Sequence, residues 1–394
     1  MLEPGFLIAF FFTFFAVCYS FLIGKLLKIK LNPVRFENIE GLRGYLAFFV
    51  FLHHACIYYY YLNSGIWELP PQNLYIHLGQ TSVSLFFMIT GFLFFNKLIE
   101  SRVHKMDWFS YFLSRVLRLY PLYLVALTIM LVIVYAMSDF KRMDKFLDLF
   151  LEVKDWLFFG VINTPPINGY EKTGDIISVL WSIRYEWMFY FSLPVLGLLF
   201  FKQRPNIILV ALCVVICYYI FISGEIIYYH FLSFISGLIA ALLIKNERIK
   251  SVANHIWVSF FIVISLVCAV CFFNSTRSIF PWLLTTMAFI AIACGNTIFG
   301  LLSLRASKLF GQISFSIYLL HTMLFFIVFR MIFDVEIIPK FSMIEYWLLL
   351  LVLCTIFIPI CYFTYYKIEL PFINAKKVLA IKLKALRTKL LILK

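Results

Sequence analysis

Charge is what this sequence has least of. Asp, Glu, Lys and Arg make up 14% of its 394 residues, against 63% hydrophobic and 20% aromatic side chains. No soluble domain carries that balance, so the chain reads as a polytopic membrane protein. No P-loop, no GxGxxG, no internal repeat and no low-complexity tract is present, which removes the usual nucleotide-binding and solenoid classes. There is also no CxxC and no Cys/His ligand spacing. Cys18, Cys56, Cys213, Cys217, Cys268, Cys271, Cys294, Cys354 and Cys361 all lie in apolar runs and read as reduced packing residues, with no metal site. The net charge of +14 does not indicate nucleic acid, because the basic residues sit between apolar runs, where they orient spans.

Eleven apolar segments are long enough to cross a bilayer: roughly 5–24, 42–62, 76–96, 116–137, 180–201, 206–223, 226–244, 254–273, 279–300, 309–333 and 343–366. The expected fold is therefore an all-α membrane bundle. The first segment follows an acidic Met-Leu-Glu-Pro start and precedes Lys25, Lys28, Lys30 and Arg35, so it reads as a retained anchor with its N-terminus outside. Alternating the loops from there puts 25 of the 34 basic residues inside and predicts a cytoplasmic C-terminus. The expected divisions are an anchor and basic linker over 1–37, a membrane domain over 38–374, and a basic amphipathic tail over 375–394 lying on the anionic inner leaflet. The long outer loop, 138–179, contains an amphipathic pattern of Asp144, Asp148, Glu152 and Asp155 opposite Phe146, Leu149, Phe150, Val153 and Trp156. It either covers an acceptor site or connects two spans.

Because an ionisable group inside a span is costly, those few are where function is expected. His54 lies eleven residues after Arg43 in GLRGYLAFFVFLHH, on the same helix face and about 16 Å away. His53 points about 100° round from it. Glu186, in LWSIRYEWMFYF, shares a face with Ser182 and is expected at a depth near His54, where a carboxylate would orient the imidazole for general-base chemistry. Ser314, Tyr318 and His321 form one stripe in a third segment. Arg115 and Arg118 face one way at the inner mouth of the fourth span, and with Arg43 could hold a polyanionic donor. Each has a plainer reading: the arginines as positive-inside anchors, His321 as a satisfied interhelical hydrogen bond, Glu186 as a packing charge near Arg184.

ENIEGLRGYLAFFVFLHH, SVSLFFMITGFLF, SRVLRLYPLYL, LWSIRYEWMFYFSLP, GQISFSIYLLH and YYKIELPFI, in this order, resemble the membrane acyltransferase-3 family over roughly Asn38 to Asn374. The resemblance implies an O-acyltransferase that moves an acyl group, usually acetyl from cytoplasmic acetyl-CoA, onto a carbohydrate hydroxyl of O-antigen, capsule or exopolysaccharide. It selects His54 over His53, with Arg43 as its partner in the spacing. It implies Arg115 and Arg118 as donor-binding, Glu186 and His321 as catalytic with His54, and Ser182, Ser314 and Tyr318 as oxyanion or acceptor contacts. His54 would serve either as general base or as a transient acyl carrier. Acetyl-CoA would be a substrate, with no bound cofactor. The expected partners are membrane lipid and a carbohydrate acceptor, including a lipid-linked one, with no nucleic acid. A transfer partner outside the membrane would be a separate chain or unnecessary. The bacterial inner membrane is the implied location. The competing expectation is a transporter or flippase of a lipid-linked glycan using the same polar groups. The extra first segment and Arg184 depart from the family pattern and leave the acceptor open.

Overall fold

A computed structural model of the chain describes residues 4–100, 106–201, 225–333 and 342–392. Those residues are helical and contain no named strand; only an isolated bridge pairs Ile167 with Tyr170. Helix is what lipid requires, because each backbone donor and acceptor finds its partner within the segment. Six helices are long and apolar enough to cross a membrane: Phe6–Leu26 (α1), Glu37–Ser64 (α2), Asn73–Glu100 (α3), Trp108–Met137 (α4), Ser314–Ile332 and Met343–Lys376. A seventh is added if Ile227–Leu243 and Glu247–Ala253, bent by 111°, count as one broken span.

Eleven apolar segments therefore become six or seven full-length crossings among the described residues. Ile256–Phe272 and Ile279–Ala293 are helical but only 17 and 15 residues long, below the roughly 20 that a bilayer core takes. The segment expected at 206–223 lies outside the described residues. Leu180–Phe201 (α6) is helical, with Arg184 and Glu186 near its start.

The chain divides into two compact units: Met1–Arg102 with Val195–Pro359, and Val103–Pro194 with Ile360–Lys394. In the first, α2 is the hub. It packs on α3, on Arg305–Gln312 and on Ser314–Phe326. Glycine makes that approach close. A Cβ on Gly311 would stand 1.9 Å from the Glu40 carbonyl oxygen, and one on Gly41 would stand 2.1 Å from that of Leu302. The helix backbones touch there as they do in other small-residue membrane interfaces. Likewise α3 meets Glu225–Leu243 (α7) through Gly91 and Gly237, whose added Cβ atoms would lie 2.4 Å from the Phe234 and Met88 carbonyl oxygens. The first helix, α1, touches the unit through Ala9, Phe12, Ala16, Ser20 and Ile23 and turns Phe6, Phe10 and Phe14 outward. The last turns of the His321 helix, Ile327–Ile332, are wound as π-helix.

In the second unit α4 begins at Trp108, capped by Asp107, whose carboxylate accepts from the Ser110 backbone N–H at 3.2 Å. Arg115 and Arg118 therefore lie two turns inside a helix that the hydropathy pattern started at 116. Leu370–Ile392, the expected tail helix, packs against α4. The long loop over 138–179 does form an amphipathic helix, Phe146–Leu157 (α5), with Phe146, Leu147 and Phe150 exposed and Trp156 buried. Trp156 is fastened at both ends: its carbonyl accepts from the Tyr123 hydroxyl, and its indole N–H donates to the Pro165 carbonyl at 2.9 Å. Asn168 and Gly169, at φ +54° and +70°, close a tight turn that Glu152 holds by accepting from the Asn168 N–H at 3.1 Å.

Candidate active site

The first unit brings two of the expected residues into direct contact. His321 Nε2 and His54 Nδ1 are 3.0 Å apart, joining the helix Ser314–Phe326 to α2. Their proton positions follow from the carbonyls around them, which can only accept. His321 Nδ1 faces the Ile317 carbonyl at 3.0 Å, so it carries the proton and its Nε2 holds a lone pair. His54 Nδ1 faces the Val50 carbonyl at 3.1 Å, so it too is protonated and is shared with His321 Nε2. This leaves His54 Nε2 with a lone pair and no hydrogen-bond partner among the described residues. His321 is wholly buried, His54 only partly. A buried, oriented imidazole thus holds a second imidazole whose acceptor nitrogen is available, the arrangement of a positioned base.

In the same unit His53 is engaged on another face of α2. Its Nδ1–H donates to the Tyr75 carbonyl at 2.7 Å, and its ring lies against Gly79, where a Cβ would come within 2.5 Å. Tyr318 stands beside His321, with ring centroids 6.2 Å apart. Ser314 is buried and its hydroxyl has no partner among the described residues. Toward the start of α2, Arg43 donates to Glu40 Oε2 at 3.2 Å, with both side chains mostly buried. At its other end the Arg330 guanidinium, on the π-wound segment, stacks 4.5 Å from the Tyr61 ring. Tyr58 and Tyr61 flank Trp67 at 5.0 and 5.5 Å, which gives that end an aromatic rim.

The second unit holds the other cluster. Glu186 Oε2 accepts from the Tyr190 hydroxyl at 2.9 Å, one helical turn along α6. Tyr190 also hydrogen-bonds Arg115, and Tyr111 lies against Tyr190 with centroids 6.4 Å apart. Arg115 Nε donates to the Ser114 hydroxyl at 3.3 Å. Ser182 closes the first turn of α6 by donating to the Val179 carbonyl at 3.0 Å. Arg118 is half-buried on the same helix as Arg115. The described ion pairs do not include Arg184 with Glu186, as their two-residue spacing requires, and Arg184 Nε is buried without a hydrogen bond among the described residues.

Of the residues singled out in the sequence, the structure joins His54 to His321, and, in the other unit, Arg115 to Glu186 through Tyr190. Glu40 and Tyr190 were missed. Both could have been found, since Glu40 to Arg43 is an i,i+3 acid–base pair and Glu186 to Tyr190 an i,i+4 pair on one helix face.

Comparison with known proteins returns no match among curated proteins and none among solved structures. Residues 36–366, most of the chain, match the family profile described as an acyltransferase domain. With its apolar spans and the motifs that hold His54, Arg115, Glu186 and His321, the chain is an integral membrane protein of the acyltransferase-3 family.

Proposed function

We propose that this protein transfers an acetyl group from cytoplasmic acetyl-CoA to a hydroxyl of a cell-surface polysaccharide sugar at the bacterial inner membrane. The observation that carries the reading is the available Nε2 of His54, held by His321 inside an acyltransferase domain. The acceptor hydroxyl gives its proton to His54 Nε2 while its oxygen bonds to the thioester carbon. The carbon–sulfur bond then breaks, and the departing CoA thiolate takes the proton back from the imidazolium. Tyr318, beside His321, and Ser314, two turns from His321 on the same stripe, are the proposed donors to a developing oxyanion. Arg43, Arg115 and Arg118 grip the phosphates of the donor. Glu186, which accepts from the Tyr190 hydroxyl, is the third proposed catalytic group, and Ser182 shapes the same helix end.

In this reading the N-terminus is outside, the C-terminus inside, and the basic tail rests on the anionic inner leaflet. The acceptor is O-antigen, capsule or exopolysaccharide, presented free or lipid-linked. Membranes bearing the protein, supplied with acetyl-labelled acetyl-CoA, should pass label into extracted surface glycan, and the His54→Ala protein should not. Transfer that survives His54→Ala refutes the mechanism. Movement of lipid-linked glycan without consumption of acetyl-CoA replaces the enzyme with a flippase.

A further inference from the structure

Four stretches of the first unit, at 35–38, Asn96, 244–254 and 293–303, enclose a cavity of about 620 Å³. That size lies within the range of small-molecule sites, roughly 300–1,000 Å³. Three cations stand on its wall: Arg35, Lys245 and Lys250. The Glu100 carboxylate holds Arg35 at 2.7 Å and Lys245 at 3.2 Å, while Lys250 pairs with Glu247 at 2.7 Å. Glu37, also on the wall, pairs with Lys308 at 2.8 Å, so the sharing of Glu100 between Arg35 and Lys245 leaves one positive charge for a ligand to take up. The same wall contains a buried acceptor without a partner. Asn96 is 2% exposed; its Nδ2 donates to Glu100 Oε1 at 3.4 Å, and its Oδ1 has no hydrogen bond among the described residues. A buried amide oxygen in that state calls for an N–H or O–H donor from a ligand.

Cations and an orphan acceptor in one polar cavity match a molecule with both phosphate and amine or hydroxyl groups. Position narrows the choice. Asn38, on the cavity wall, belongs to α2, as do Arg43 and His54. His54 is sixteen residues further, about 24 Å along the helix axis, with Arg43 between them. A nucleotide seated in the cavity would have to reach His54 through a long, slender arm, which is the form of coenzyme A. We infer that this cavity binds the adenosine-phosphate end of the acyl-CoA donor, with Lys245 and Lys250 on phosphate and Asn96 Oδ1 accepting from the adenine amine or a ribose hydroxyl. The inference rests on the donor reading above and gives it a second anchoring point, distinct from Arg43, Arg115 and Arg118.

The test uses the full-length protein in detergent and titrates adenosine 3′,5′-bisphosphate by calorimetry. Wild type should bind it. Lys245→Ala/Lys250→Ala, and separately Ser303→Trp, which plugs the cavity from an exposed position, should each weaken binding at least tenfold. In reconstituted membranes the same variants should raise KM for acetyl-CoA by a similar factor and leave KM for S-acetyl-phosphopantetheine, which lacks the nucleotide, unchanged. No binding to wild type, or equal binding to wild type and variants, overturns the inference. So does loss of co-purifying phosphatidylglycerol from the variants with unaltered bisphosphate affinity, which would make the cavity a lipid-headgroup site. Bisphosphate binding that follows the variants while acetyl transfer is absent leaves the cavity assigned and refutes the proposed activity instead.

Discussion

Replacing His321 tests the proton arrangement of the candidate site more sharply than replacing His54. Removing His54 removes the proposed base, and a positioned general base is worth roughly a hundredfold to ten-thousandfold in rate. His321 contributes one hydrogen bond, 3.0 Å long, to an imidazole that becomes cationic as it takes the acceptor proton. A hydrogen bond to a charged group is worth about 1.5–3 kcal/mol. At about 1.4 kcal/mol per decade, that is roughly a tenfold to 150-fold loss in kcat. The loss should stop there, because the Val50 carbonyl still faces His54 Nδ1 at 3.1 Å and still fixes its tautomer. His321→Gln, whose side-chain carbonyl reaches about where Nε2 stands, should recover a good part of it. The assay is the initial rate of acetyl label entering glycan in reconstituted membranes, normalised to inserted protein, with KM and kcat separated. A His321→Ala defect as complete as that of His54→Ala, with no rescue by Gln, refutes the reasoning, because His321 would then handle a proton or acyl group itself. Unchanged kcat refutes it from the other side and makes the contact simple packing.

Three further outcomes are expected. Tyr190→Phe removes the hydroxyl that donates to Glu186; losing a hydrogen bond to a charged group should cost about 1.5–3 kcal/mol, seen as a lower melting temperature in detergent, and KM for acetyl-CoA should rise with it. Gly311→Ala drives a methyl group into the Glu40 carbonyl, an overpacking cost of roughly 1–3 kcal/mol, so thermal stability should fall and, because α2 must shift, transfer should fall with it. Glu40→Gln releases Arg43 from a pair worth about 1 kcal/mol; KM for acetyl-CoA should drop by up to about fivefold if Arg43 holds the donor, and a rise in KM would show that Glu40 aims it.

The depth of the key residues could be read from the sequence, and their rotation could not. Counting residues from the ends of two apolar runs placed His54 and His321 at similar depth, and the helices bring them together. The same counting put Glu186 at that depth too, but which neighbour its carboxylate takes depends on the turn of α6 that carries Tyr190. Hydropathy measures apolar length, while helix ends are set by local chemistry. Asp107 caps α4 so that it starts eight residues before its apolar run, and the His321 helix begins only at Ser314, after the separate helix Arg305–Gln312. The cavity beside Asn96 was out of reach altogether, since its wall is assembled from four stretches far apart in the chain.

The π-wound turns at Ile327–Ile332 divide the His321 helix into two independently phased parts. A π-turn is equivalent to one residue inserted into an α-helix. Deleting a single residue there would let the segment close as ordinary α-helix with the turns before it unshifted, because the π-turn already takes up the extra residue. Arg330 would leave the face of Tyr61, while Ser314, Tyr318 and His321, all upstream, would keep their register against α2. The contact of Arg330 with the aromatic rim can therefore be altered by insertion or deletion without disturbing the histidine pair, so the two are separable in sequence although they share one helix.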